Sequence, residues 1–346
     1  MRRGVKSTRS EESSRYAGGK RVKKMRDEAL AQIITDIKRK RELAGLADTV
    51  VRGKVLKALR AQPKLSSLLD RPFKEFSRRA DYKALRREVR RRLREIYGVF
   101  DLDNKRQREA LVSKGDVRDM TVVRQLLALH QSSKERLPFY PRVYREIFSR
   151  TGVPSTILDI GCGANPYSYH FLGCKPRYVA VDLPSDELAL LNTFFERAGI
   201  DGEVKGLDVV DDADCIGKLG SFDVCFCFKL LDSLETVKRH SAKKVLGSLN
   251  AQWIIVSFPT LSIGGGKRIK QERRTWFEHF LAKQEWSYES FEIPNEVFYI
   301  IPKGLPERPL RKRKAVLVND ERGGSDTAVM REETIEERTI EEKRRS

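Results

Sequence analysis

Apolar residues recur at helical spacing over the first 150 positions and then give way to short, nearly unbroken apolar runs. Val22, Met25, Leu30, Ile33, Ile34 and Ile37 fall three or four residues apart, and Tyr82, Leu85, Val89, Leu93 and Ile96 do so again, which predicts two amphipathic helices. Pro63 and Pro72 interrupt the pattern between them, because proline lacks an N–H and fixes φ. A further periodic stretch runs from Met120 to Leu129, and another helix is expected around Arg136 to Arg150. Beyond it, apolar runs near 156, 178, 204, 223 and 253 alternate with helical segments, as strands do when both faces of a parallel sheet are covered. The last two runs, near 287 and 297, have no helix between them and must close as a hairpin. The expectation is an α/β fold, a Rossmann-like doubly wound sheet preceded by an α-helical lobe. No internal repeat is visible.

Charge divides the chain along the same line. The formal net charge is +20, and residues 1 to 150 hold 41 Lys and Arg against 19 Asp and Glu, so the basicity belongs to the helical part. A field so lopsided suits a polyanion-binding lobe joined to a separate catalytic lobe. The boundaries expected are a flexible basic arm over 1–20, a helical, basic, nucleic-acid-binding lobe over 21–150, a sheet domain over 151–303 and a charged, largely disordered tail over 304–346. Arg86, Arg90, Arg91 and Arg94, with Arg87 and Arg92 beside them, form a basic helix face read either as phosphate contacts or as a solvated surface. The five cysteines show no paired spacing, so neither a metal site nor a disulfide framework is expected, and a reducing compartment fits. The start, Met1-Arg2-Arg3-Gly4-Val5-Lys6, lacks an apolar stretch, and no run reaches the roughly 18 apolar residues of a membrane span. A soluble, cytoplasmic protein is expected.

The most informative segment is Thr156-Ile157-Leu158-Asp159-Ile160-Gly161-Cys162-Gly163-Ala164-Asn165-Pro166, an apolar strand running into a glycine turn. Gly161 and Gly163 can adopt backbone angles closed to other residues and let a ligand approach the main chain, while a following helix offers unpaired N–H groups. The third glycine suited to a pyrophosphate is missing, which favours S-adenosylmethionine over a dinucleotide. About twenty residues on, Val179-Ala180-Val181-Asp182 is a strand ending in an acid placed for ribose hydroxyls. Asp208, after the next strand, is expected to reach the adenine amine, although Asp211 and Asp212 leave another register or a plain acidic loop open.

Four blocks carry a resemblance to the 16S ribosomal RNA guanine-N7 methyltransferases of aminoglycoside resistance, the Arm/Rmt/Kgm group. They are His130-Gln131-Ser132-Ser133-Lys134-Glu135-Arg136-Leu137, Asp159 to Pro166, Phe228-Lys229-Leu230-Leu231 with Leu234-Glu235, and Val256-Ser257-Phe258-Pro259-Thr260 with its glycine-rich loop. Asn295-Glu296-Val297-Phe298-Tyr299-Ile300 is a weaker fifth, and the likeness spans about residues 120 to 303. It implies a class I methyltransferase fold, a helical lobe that docks on the small ribosomal subunit and a target guanine in the decoding-site helix of 16S rRNA. It also implies that Arg136 clamps the cofactor carboxylate, with His130 shaping the same pocket. Asp232 stands where the group usually has proline, and Arg268-Ile269-Lys270 replaces a Lys-Gly-Met-like stretch.

Phe228 and Lys229 end the fourth strand, where the target base enters this fold. Lys229 is expected to steady the base or a phosphate, and Phe228 to supply a stacking face or simply to pack in the core. Lys267 and Arg268 follow Gly264-Gly265-Gly266 in a basic loop expected to close on the RNA backbone. The Asp/Asn-Pro-Pro-Tyr/Phe motif of exocyclic amine methylation is absent from 228–231, and neither Cys225 nor Cys227 has the setting of a carbon-5 nucleophile. Two other readings stand beside rRNA methylation: a non-catalytic ribosome-assembly factor, and a methyltransferase for another RNA such as tRNA. Oligomeric state is not readable from the sequence.

Overall fold

The computed structural model describes residues 8–97, 104–261, 269 and 274–303. The expected tail over 304–346, the first seven residues of the expected arm, and Lys267 and Arg268 lie outside the described residues.

The chain begins with α1 (Thr8–Lys38), so a helix starts inside the segment expected to be an arm. It continues through α2 (Asp48–Ala61), the single turns α3 (Pro63–Ser66) and α4 (Phe73–Phe76), and α5 (Ala80–Tyr97). Pro63 sits in the first turn of α3, where a missing N–H costs nothing. Ile33, Ile37, Val51, Val55, Phe76, Tyr82, Leu85 and Val89 bury one face of these helices in a core of their own. Next come α6 (Lys105–Lys114), α7 (Met120–Ala128), α8 (Gln131–Arg136) and α9 (Tyr140–Thr151). The helix expected from Arg136 to Arg150 is thus two: Arg136 ends α8, Pro138 falls in a tight turn, and Pro141 sits in the first turn of α9. Val112, Val123, Leu126, Tyr140, Val143 and Ile147 pack into the core on one face of the sheet, not into the helical lobe. Apart from Leu183, the N-terminal core takes residues up to Leu93 and the core on the sheet face begins at Val112, upstream of the expected boundary at 150.

Seven strands follow: β1 (Thr156–Ile160), β2 (Arg177–Asp182), β3 (Gly202–Gly206), β4 (Phe222–Phe228), β5 (Ala251–Pro259), β6 (Glu289–Ile293) and β7 (Glu296–Pro302). Their spatial order is β3-β2-β1-β4-β5-β7-β6. Pairing is parallel from β3 across to β5, and antiparallel between β5 and β7 and between β7 and β6. All seven expected strands are present, and this is the class I arrangement. Asn295, with φ 70°, makes the two-residue β6–β7 turn together with Pro294, the residue types that a turn with a left-handed second position favours. Crossovers run through α10 (Asp186–Ala198), α11 (Leu231–Val237) and α12 (Ser241–Ser248), while α13 (Thr275–Lys283) leads into the hairpin. Strand side chains alternate: Val224 and Phe226 bury on the α9 face, Cys225 and Cys227 on the α12 face. β1 lies between β2 and β4, so the chain winds in opposite directions on its two sides. A crevice opens there at the carboxyl ends of the strands.

Candidate active site

The turn after β1 has the backbone that its glycines allow. Gly161 and Gly163 have φ of 65° and 48°, and Val181 accepts hydrogen bonds from the N–H groups of Gly161 (2.8 Å) and Cys162 (3.1 Å). A Cβ on Gly161 would stand 2.5 Å from Leu230 Cδ1, because the turn after β4 lies directly against it. Asp182 closes the arrangement: the Gly163 N–H donates to its Oδ2 (2.8 Å) and the Leu183 N–H to its Oδ1 (2.7 Å). Each carboxylate oxygen keeps a lone pair for a ribose hydroxyl. Burial raises the Asp182 pKa above the usual carboxylate range, although the two N–H donors work in the other direction. Beside the turn lies a small pocket bordered by Gly163, Ala164, Asp182, Ser185, His130 and Arg108. Gly163, Asp182 and His130 thus border one pocket, and Gly161 lies in the same turn. Arg108 is an addition: it is 2% exposed and donates from Nη2 to Glu187 (3.0 Å), and its place in a basic helix gave no hint of this.

Asp159 is buried beneath the turn. Its Oδ2 accepts from Tyr178 (2.6 Å) and Asn165 (2.9 Å), while Oδ1 has no partner. Burial pushes its pKa up to about 6, against those two hydrogen bonds. Asp159 therefore acts through Asn165, which begins the helical turn after the glycines, and holds that turn to the sheet.

Arg136 enters the same layer from the end of α8 and is 2% exposed. Its Nε and Nη2 donate to the two oxygens of Glu296 (3.1 and 2.6 Å), and Nη1 donates to Asn165 Oδ1 (3.1 Å) and Tyr140 Oη (3.4 Å). The guanidinium lies 4.7 Å from the Phe228 ring centre. Burial works against its charge, but the Glu296 carboxylate outweighs it, and Arg136 is held protonated above the ordinary guanidinium range. The side chain expected to clamp a cofactor carboxylate is thus engaged by a carboxylate of the protein. Phe228, read either as a stacking face or as core, is 8% exposed, stacks on Phe226 at 4.7 Å and packs in the core, because it shares the inward face of β4 with Val224 and Phe226.

Lys229 does stand at the crevice. It has φ 52°, an uncommon conformation for a side chain with a Cβ, stabilised by two bonds from its N–H to Ser257, at Oγ (2.9 Å) and O (3.0 Å). Its ammonium reaches Glu135 Oε2 (2.8 Å) and lies 3.7 Å from Glu296 Oε2. Burial pushes the Glu135 pKa up, but hydrogen bonds from Lys229 and Gln131 outweigh that and hold it low. Glu296 joins Arg136, Lys229 and Ser257. Its sequence signal was an acid opening an otherwise apolar strand. Glu135, Asn165 and Tyr140 gave no comparable signal.

Asp208 follows a residue whose N–H donates to the Asp182 carbonyl (2.8 Å), so the two acids lie on neighbouring strand ends, and Lys54 of α2 pairs with Asp208. On α5 the arginines separate into two kinds. Arg86 donates to Asp36 (3.0 Å) and Arg90 caps the end of α1 at Ile37 O (3.2 Å) and Asp36 O, so these two tie helices together. Arg91 pairs with Glu88 on the surface, and Arg94 with Glu42 (2.8 Å); both remain exposed. Among the described residues no group of His, Cys, Asp and Glu is arranged to hold a metal ion, and no helix is long and apolar enough to cross a membrane.

The 16S rRNA (guanine(1405)-N(7))-methyltransferase of Micromonospora echinospora is 30% identical over 229 residues, 63% of this chain and 82% of that protein. An rRNA methylase structure from Escherichia coli has a TM-score of 0.61 at 26% identity, covering 80% of this chain and 100% of that one. The methyltransferase RmtF, solved with S-adenosyl-L-homocysteine, shares the fold with a TM-score of 0.65 at 23% identity, over 80% of this chain and 98% of its own. Residues 73–300 match the sequence model of the ribosomal RNA methyltransferase (FmrO) family, further upstream than the blocks from 120 onward, and the chain belongs to that family of enzymes.

Proposed function

We propose that this ribosomal RNA methyltransferase transfers a methyl group from S-adenosylmethionine to N7 of a guanine in 16S rRNA, with the assembled small subunit, in the cytoplasm, as its substrate. The observation that carries the reading is the glycine turn locked onto Asp182 through the Gly163 N–H, at the crevice between β1 and β4. The positive φ at Gly161 and Gly163 and the lone pairs left on Asp182 fit the cofactor. Its relatives' activity on 16S rRNA supports the target.

Bound there, S-adenosylmethionine supplies a methyl group made electrophilic by its sulfonium. The protein's own part is to bind and to orient. Asp182 would hold the ribose hydroxyls, Asp208 the adenine amine, and the turn at Gly161 and Gly163 would leave room for the backbone to approach. Guanine N7 offers a lone pair and carries no proton, so positioning and exclusion of water are enough and no general base is needed. Lys229, strained into place and steadied by Glu135, projects its charge at the strand end where a base or phosphate would arrive. Arg136 and Glu296 brace that position from below, and Arg136 has the role of a strut here. Exposed Arg91 and Arg94 suit contact with RNA phosphates.

The test is to incubate small subunits with the enzyme and methyl-labelled cofactor, then locate the label by mass spectrometry. Label on a 16S guanine N7 is the expected result. Label on purified tRNA alone, or cofactor binding with no transfer, would overturn it and favour the tRNA or the assembly-factor reading.

A further inference from the structure

The two strand ends that carry the acids read as cofactor contacts are both held by the N-terminal lobe. On the β2 side, Leu183, 7% exposed, packs into the core of the N-terminal lobe, the Ala47 N–H donates to Pro184 O (3.0 Å), and the Asp186 N–H donates to Gly45 O (3.0 Å). Leu46 and Ser185 form an antiparallel bridge between these bonds. On the β3 side, Lys54, 6% exposed, places its ammonium between the carboxylates of Asp208 and Asp211, 2.7 Å from Asp211 Oδ2. Lys57, one turn along α2, reaches Asp211 Oδ1. The Asp208 Oδ1 takes the Val210 N–H (3.1 Å), so the carboxylate is fixed at both oxygens.

Two acids three residues apart, Asp208 half-buried and Asp211 exposed, repel each other unless a cation stands between them. Lys54 is that cation, and it comes from the lobe read as the RNA-binding part. Loss of its charge would leave Asp208 Oδ2 without its partner and next to Asp211, with only backbone N–H bonds to Oδ1 to orient the carboxylate. We infer that Lys54 is a positioning residue for the cofactor, acting through Asp208, and that the N-terminal lobe sets cofactor affinity by gripping both strand ends. This rests on the reading of Asp182 and Asp208 as cofactor acids. By linkage, occupation of the cofactor site must tighten the lobe's grip in return.

Calorimetry with S-adenosylhomocysteine on the full chain tests it. Lys54→Met should raise the Kd about tenfold and raise KM for the cofactor more than it lowers kcat, while Lys54→Arg recovers most of the affinity. Arg60→Met, the same charge change at an exposed position of α2, should leave the Kd within about twofold. A folded Lys54→Met protein with wild-type affinity would overturn the inference. If that variant does not fold, hydrogen exchange on the wild-type protein decides: saturating S-adenosylhomocysteine should slow exchange of the Ala47 and Asp186 amides, and unchanged rates would overturn it. Absence of any binding by the wild-type protein would instead sink the cofactor reading beneath it.

Discussion

Replacing Glu296 by Gln tests the buried ionic layer directly. Glu296 is 1% exposed and meets Arg136, 2% exposed, through two hydrogen bonds, with Lys229 3.7 Å away. The amide keeps the shape but removes the negative charge, leaving a guanidinium whose other hydrogen-bond partners, Asn165 and Tyr140, are uncharged. Breaking a buried pair in this way costs about 3–5 kcal/mol. Lys229 retains Glu135 at 2.8 Å, which places the expected loss toward the lower end of that range. For a domain of this size, 3 kcal/mol lowers Tm by on the order of 10 °C. Urea titration with the variant and wild type side by side measures it. The double variant Arg136→Met with Glu296→Leu, which removes both charges together, should be more stable than Glu296→Gln, since no ion is left unpaired. A Glu296→Gln loss below about 1 kcal/mol, or a double variant no better than the single, would refute the view that this pair is shielded from water.

Other expectations follow from the same geometry. Burial raises the Asp159 pKa from 3.8 to about 6, so the folded state holds that proton more tightly than the unfolded one. The associated stability, about 3 kcal/mol, is fully present below pH 3.8 and is lost as pH rises through about 6. Asp159→Asn removes this part of the slope, and urea midpoints at pH 4 and pH 7 should differ less in the variant than in wild type. Gly163→Ala meets only the His130 ring, at 3.9 Å, so its cost is the φ of 48°, about 1 kcal/mol on stability, with a larger loss in cofactor affinity where the new methyl enters the cradle. Thermal melts and calorimetry separate the two effects. Arg91→Glu with Arg94→Glu should weaken RNA binding and lower its salt slope by roughly one unit per lost phosphate contact at unchanged cofactor affinity. Arg90→Glu should instead lower the melting temperature, because Arg90 caps α1.

What the sequence determined is what local physics controls. Helical periodicity in α1 and α5, the apolar runs of seven strands and the glycine turn after β1 each depend on residues within a few positions of one another, so period and turn chemistry suffice to read them. The acid ending β2 was legible beside the glycine turn, since β1 and β2 are adjacent in chain and sheet, whereas the bond from the Gly163 N–H to Asp182 is seen only in the structure. Tertiary structure alone decided which charges are spoken for. Arg136 looks like a free clamp until β7 brings Glu296 against it from 160 residues away. Arg86 and Arg90 look like phosphate contacts until α5 packs on α1 and the carboxylate and last carbonyls of that helix claim them. Phe228 reads equally as a stacking face or as core until the sheet turns it inward, and Lys54 is one more lysine until α2 lands on Asp208. A charged or aromatic side chain has the same identity in water and in a buried layer; its role depends on the partner and the dielectric around it, and both are supplied by chain segments far apart in sequence.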